Sequence, residues 1–326
     1  MITLAKKLIT CSGTTKKLEV NGYVEFVSST PMTITPKYTN SGVTLQYSLD
    51  GITWTPIVSG VTTPSANIIY FIGRAVETKS LYTSSSSSNA WAFTGATNLE
   101  CNGKLDRLIQ NTLGSDADVL TNGTHCFSHM FYSQTSLISL DNDCLQATTL
   151  ANYCYYNMFS GCTGLTTAPA LPAMTLATYC YNGMFSGCRN LTTAPALPAM
   201  TLATYCYLNM FSGCTGLTTA PALPATTLAD YCYQDMFSGC SNLTILPALP
   251  ATTLITGCYN GMFRDCTKIK LSTTMIGIYD TAYRIPTSGT GTTATSALSS
   301  VFYQTGGTFT GTPDINTTYY TENTPV

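Results

Sequence analysis

The sequence predicts β structure joined to an α/β solenoid: a small N-terminal β-sandwich, a repeating solenoid with a 26-residue period, and a C-terminal cap. Three observations lead there. The phrases CYYNMFSGC, CYNGMFSGC, CYLNMFSGC, CYQDMFSGC and CYNGMFRDC start at Cys154, Cys180, Cys206, Cys232 and Cys258, always 26 residues apart. A fainter copy, CFSHMFYSQ, starts at Cys126. A fixed period of this length marks units that bury their apolar faces only against their neighbours. A second constant phrase, LTTAPALPAxTLAxY, fills the space between copies, as from Leu165 to Tyr179. Before residue 83 there is no repeat, only short runs in which apolar and polar residues alternate.

Residues 1–82 read as the sandwich. Val20, Tyr23, Val24, Phe26, Met32, Ile34, Val43, Leu45, Tyr47 and Leu49 alternate with polar neighbours, the period of a half-buried strand. Asp50-Gly51 predicts a tight hairpin between Tyr47–Leu49 and Ile52–Trp54, because a type I′ turn needs positive φ at both positions. The segment Ser48–Trp54 is similar to the Asp-box hairpin of sialidases, one residue short and present once; its role is expected to be structural. Six or seven strands fit this length.

Residues 83–275 read as the solenoid. Thr83–Ser88 is a polar linker or loop tip. Ala92–Ile109 reads as a degenerate first coil, with Leu99–Cys101 as strand and Gly103–Ile109 as helix. Residues 111–122 are irregular and hold Asp116 and Asp118. In a full unit, Thr149–Leu165 is expected to be a helical arc. At about 100° per residue, Leu150, Cys154, Met158, Cys162 and Leu165 fall in one core sector, with Ala151 and Gly161 inside it. Tyr155 and Phe159 lie at its rim, and Tyr153 points away. Pro169 and Pro172 exclude a central strand, which leaves a short parallel strand before Pro169. One strand and one helix per unit fit a leucine-rich-repeat coil. The repeat fails after Met275, and residues 276–326 read as the cap.

The phrase MFSGCTGLTTAPALPATTLADYCYQDMF closely resembles the BspA-like leucine-rich repeat, found in surface proteins of gut Bacteroidetes and in proteins of their phages. The resemblance covers about residues 98–271. It extends to Leu45–Ala75, which looks like the small β-domain that often precedes these repeats, and to the ending SALSSVFYQTGGTFTGTPDINTT. It implies adhesion or display and no defined catalytic activity.

Composition narrows the function further. Charged residues make up 9% of the chain and the net charge is −2, against about 25% charged in ordinary domains. Nothing here suits nucleic acid or an anionic membrane. Ser, Thr, Asn, Tyr and Gly make a neutral polar surface, which suits glycans or packing within a large assembly. No run is long and apolar enough to span a membrane. Met1–Thr10 lacks the order of a secretory signal, since its lysines follow the apolar residues. Assembly in a host cytoplasm is therefore expected rather than export.

Of the 14 cysteines, ten form two ladders at equivalent positions. Cys154 and Cys162 stand about 12 Å apart if helical, beyond disulfide reach. Reduced, buried thiols are expected, and no metal, because the spacing matches no zinc pattern. His125 and His129 are the only histidines. Four apart, they would share a helical face, with Asp116 or Asp118 as a third ligand. The plainer expectation is two polar residues on an atypical coil. No Ser–His–Asp arrangement, carboxylate pair or Gly-rich phosphate loop can be assembled, so neither catalysis nor a cofactor is expected. Tyr153, Tyr179, Tyr205 and Tyr231 recur off the core and are the candidate ligand-binding residues, either as flat faces for sugars or proteins or merely as cover for the preceding coil.

These readings converge on a non-enzymatic display or adhesion protein. A phage virion component fits them best, a capsid-attached head fibre or decoration. Its N-terminal domain would meet other virion proteins, with a homo-oligomer such as a trimer as one option. Its solenoid would meet host-surface or mucin glycans or proteins. The alternative is a bacterial cell-surface adhesin.

Overall fold

A computed structural model describes residues 22–75, 80–109, 120, 123–322 and 325. Its strands are β1 (Val24–Thr35), β2 (Val43–Ser48), β3 (Thr55–Ile57), β4 (Ala66–Ala75), β5 (Ala92–Thr94), β6 (Leu99–Asn102), β7 (Leu137–Leu140), β8 (Lys270–Ser272), β9 (Thr281–Arg284), β10 (Gly306–Gly307) and β11 (Thr318–Thr321). They form two mixed sheets of seven and four strands. Among the described residues the helical elements are two short 3-10 turns, Ser87–Asn89 and Leu105–Leu108. The expected α/β solenoid of leucine-rich-repeat type is therefore overturned: the chain is mostly β, and no α-helix forms in the repeats.

The expected N-terminal sandwich is corrected as well. One sheet runs in the order β3-β2-β4-β1-β6-β7, with β5 on the second half of β1. Pairing is antiparallel except between β6 and β7, which run parallel. The alternation in β1 and β4 turns Val24, Phe26, Ile69 and Phe71 into the core. Among the described residues no second sheet covers them. Phe26 packs on Trp91, Phe93 and Phe131 at 6.1, 5.2 and 6.2 Å between ring centroids, and Phe131 belongs to the first repeat coil. Alternation identifies a half-buried strand but is silent on what lies above it. The sheet draws β1–β4 from before residue 83 and β5–β7 from after it, and one hydrophobic core runs from Val24 to Tyr319.

The hairpin at Asp50 is also wider than expected. Leu49–Trp54 separates β2 from β3, and Gly51 has positive φ where Asp50 does not. The Asp50 carboxylate replaces the tight turn. It accepts from the backbone N–H groups of Ile52 and Thr53 at 2.8 and 2.7 Å, and from the hydroxyls of Ser48 and Thr53 at 2.8 and 3.0 Å. Those donors hold its carboxyl well below the usual carboxylate range.

Each repeat is a run of consecutive turns. Tyr153, Asn157 and Gly161 have φ of 58, 51 and 76°, one left-handed residue in every four. Cys154, Tyr156, Met158, Ser160 and Cys162 donate their N–H groups three residues back, to Ala151, Tyr153, Tyr155, Asn157 and Phe159. The residues between them donate forward into the next coil. Tyr153, Tyr155, Asn157, Phe159 and Gly161 bond the carbonyls of Thr178, Cys180, Asn182, Met184 and Ser186 at 2.7–3.1 Å. Each coil thus hands every second N–H to its neighbour, as a parallel ladder does, while the alternate N–H groups close the turns. The backbone groups named are all paired, as burial demands.

This four-residue square explains why a helical wheel half succeeds. Leu150, Cys154, Met158, Cys162 and Leu165 are buried as expected. Tyr155 and Phe159, expected at the rim, are buried completely, because a square repeat turns two adjacent residues inward where a 3.6-residue helix turns one. The strand before Pro169 shrinks to single parallel bridges, Thr167 to Thr193 and Thr219 to Ile245.

The C-terminal segment contains one more coil. Ser296, Ser300 and Gln304 repeat the left-handed spacing. Ala297, Ser299, Val301 and Tyr303 accept from Tyr259, Gly261, Phe263 and Asp265 at 2.9–3.0 Å. Its sequence has lost the Cys and Met marks but keeps Phe302, stacked on Phe263 at 5.7 Å. Strands β8, β9, β10 and β11 close this end, in the order β10-β8-β11-β9.

Candidate binding surface

The square coil brings equivalent side chains into columns one coil apart. At the first corner, His125, Tyr153, Tyr179, Tyr205 and Tyr231 form a single file. Successive ring centroids lie 4.8, 4.9, 4.6 and 5.0 Å apart, with planes within 10°. All four tyrosines are half-buried. They lie on one stripe, spaced by one coil, and each ring face rests on the next. The stripe therefore offers ring edges rather than open faces. The file ends at Gly257, where a Cβ would overlap the Tyr231 ring. Tyr156 flanks it, edge-on to Tyr153 at 5.7 Å. Burial and the neighbouring tyrosines raise the Tyr179 hydroxyl above its ordinary value.

Two further files lie inside. Phe127, Tyr155, Tyr181, Tyr207, Tyr233 and Tyr259 stack at 5.6–6.0 Å. Phe131, Phe159, Phe185, Phe211, Phe237, Phe263 and Phe302 stack at 5.5–5.7 Å. These rings are buried. They fix the coil spacing and hold the outer tyrosine file in register.

The cysteines line the same interior. Those described are all buried and outside any disulfide, and Cys11 lies outside the described residues. Cys162, Cys188, Cys214, Cys240 and Cys266 each donate their thiol to a phenylalanine carbonyl one coil earlier, at 3.0–3.1 Å. Burial pushes Cys188 and Cys240 up to about 12 and Cys258 up to about 11. Such thiols are poor nucleophiles and poor metal ligands.

His125 and His129 occupy corner positions equivalent to Tyr153 and Asn157, both with φ of 61°. His125 spends its face on Tyr153. The Nδ1 of His129 shares a hydrogen with the Ser128 hydroxyl at 3.0 Å, and its Nε2 accepts from the Asn157 amide at 3.3 Å. Burial lowers both, His129 to about 4. Among the described residues no group of three His, Cys, Asp or Glu could hold a metal ion. Asp116 and Asp118 lie outside the described residues.

On another side, the Ala-Pro-Ala-Leu-Pro segments leave two adjoining shallow cavities of about 350 and 380 Å³. They share Ala194 and Ala196, and Pro169, Pro195, Pro221 and Pro224 line them. This groove escaped the sequence reading, although two prolines per unit interrupt the backbone ladder there. The corner chemistry also escaped it. Asn157, Gly183, Asn209, Asp235 and Gly261 at one corner, with Gly161, Gly187, Gly213 and Gly239 at the next, are residues that tolerate positive φ. Their spacing of four carries the square coil in the sequence itself.

No family model, curated protein or solved structure matches the chain.

Proposed function

We propose that this protein is a non-enzymatic display and adhesion protein, a component of a phage virion such as a head fibre or capsid decoration. In this reading the N-terminal end holds the assembly, and the coil stack meets host-surface or mucin glycans. The resemblance of the repeat phrase to BspA-like proteins supports the class. The carrying observation is the outer tyrosine file, a neutral column repeating every 4.6–5.0 Å. A column of identical groups suits a polymer of identical units, gripped by many weak contacts acting together. Because ring faces are mutually occupied, a sugar meets ring edges and the polar residues beside them, such as Asn152 and Thr178. The test is a mucin and capsular-glycan array probed with the full chain and with a variant carrying Tyr→Ala at 153, 179, 205 and 231. The wild type should bind repeating glycans, and the variant should lose at least tenfold in apparent affinity. Equal binding by both removes the file as the site. No binding to any glycan removes the adhesion reading.

A further inference from the structure

A second surface lies at the far edge of the seven-stranded sheet. Among the described residues, strand β3 is the last strand there and bonds only to β2. The loops on either side of it expose Leu49, Ile52, Val58 and Val61 at 44, 74, 62 and 48%. Ordinary surfaces scatter such side chains singly; four around one three-residue strand make a patch.

Backbone pairing is a poor way to cover it. Thr55, Pro56 and Ile57 stand opposite Tyr47, Gln46 and Leu45. Pro56 has no N–H to give, so its place in an antiparallel ladder is the outward-facing one. A strand added at this edge would find that donor missing. What docks here therefore docks through side chains.

Charge decides what kind of surface fits. From Leu49 to Ser65 the one ionisable side chain is Asp50, held by the donors of its own loop. The ammonium of Lys37 stands at the opposite border, beside Gly60. The patch thus carries one anion beside Leu49 and Ile52 at one end of β3 and one cation beside Val58 and Val61 at the other, so its charges cancel. A strongly charged partner gains little from it. A copy of the same surface, turned by a two-fold rotation, sets Leu49 and Ile52 against the opposing Val58 and Val61, and Lys37 against the opposing Asp50. Self-complementarity of this kind is what an isologous interface requires.

We infer that this patch is the contact between two copies of this chain, joined at their N-terminal ends with the coil stacks directed apart. The inference deepens the anchoring role proposed for this end and is independent of the glycan reading. The absent N–H at Pro56 keeps the contact closed, since an open edge would recruit strand after strand.

The test is sedimentation velocity of the full chain from about 1 to about 100 µM, a range that brackets modest self-association. The wild type should shift from one mass to twice that mass. A variant with Ile52→Lys and Val58→Lys should stay at the single mass, while Met275→Ser with Ile276→Ser, at exposed apolar positions far along the chain, should behave as wild type. A carbodiimide cross-link between Lys37 and Asp50, formed between heavy- and light-isotope copies, should appear in the wild type and needs no variant. A wild type of single mass throughout overturns the inference. So does a Lys variant that doubles like the wild type, or the lack of the mixed-isotope cross-link at the highest concentration.

Discussion

The corner residues carry a conformational cost that the stack repays in different ways. At Gly187 an added Cβ would meet the Gly161 backbone at 3.7 Å, ordinary contact, so Gly187→Ala should cost only the left-handed penalty, about 1–2 kcal/mol. At Gly257 the same methyl overlaps the Tyr231 ring, and Gly257→Ala should cost clearly more; urea melts of the two variants give the comparison. His129 makes a pH prediction. Its folded value is lowered to about 4 by burial, against about 6.5 in the unfolded chain. The unfolded state therefore binds the proton first, and stability should fall as pH drops from about 6.5 to about 4 and then level off for this group. His129→Asn, which copies Asn157 and Asn209, should flatten that part of a stability–pH curve. Asp50 acts lower down. Its carboxyl is held below the usual range, so its contribution is present above about pH 4 and lost as pH falls further; Asp50→Asn should remove that loss.

Within one coil, the question is which side chains bear the packing. Leu202 is buried and Thr204 only half-buried. Leu202→Ala should cost about 2–5 kcal/mol, and Thr204→Ala under about 0.5, measured as shifts in denaturation midpoint at constant slope. The ten ladder cysteines should resist labelling in the native protein and react after denaturation, a contrast that thiol titration reads directly. Much of this element was legible. The period, the core positions Cys154, Met158 and Cys162, and the reduced thiols all follow from the repeat. Its backbone was not, because residues four apart share a face on a square coil and nearly so on an α-helix. What separates the two is the Asn, Gly and Asp run at the corners, and a tyrosine at the first corner masks that run by taking positive φ unaided. The tyrosine file was legible as a stripe, but the occupancy of its faces was not, since the ring tilt depends on coil spacing.

For the whole molecule, continuity matters more than boundaries. β1 pairs with β4 on one side and β6 on the other, so a break at residues 82/83 cuts through a sheet. Chains 1–82 and 83–326 made separately should each show weaker hydrogen-exchange protection of β1 or β6 than the intact chain. The alternating pattern of residues 22–75 told of strands, and nothing in it could tell that Phe131, far along the chain, would lie beneath Phe26. The ladder of forward N–H bonds makes a sharper test. Removing residues 180–205, one full unit, leaves every remaining corner over its counterpart, and the protein should still melt cooperatively. Removing 180–204 shifts every later side chain by one place and should abolish folding, as judged by circular dichroism and thiol exposure. Two copies of LTTAPALPAMTLATYCY stand in tandem here, and near-identical stretches of a gene can misalign and exchange when it is copied. Each such slip lengthens or shortens the molecule by a whole step of about 4.8 Å and leaves a foldable product, so length is a trait this chain can inherit and adjust without a single new point mutation.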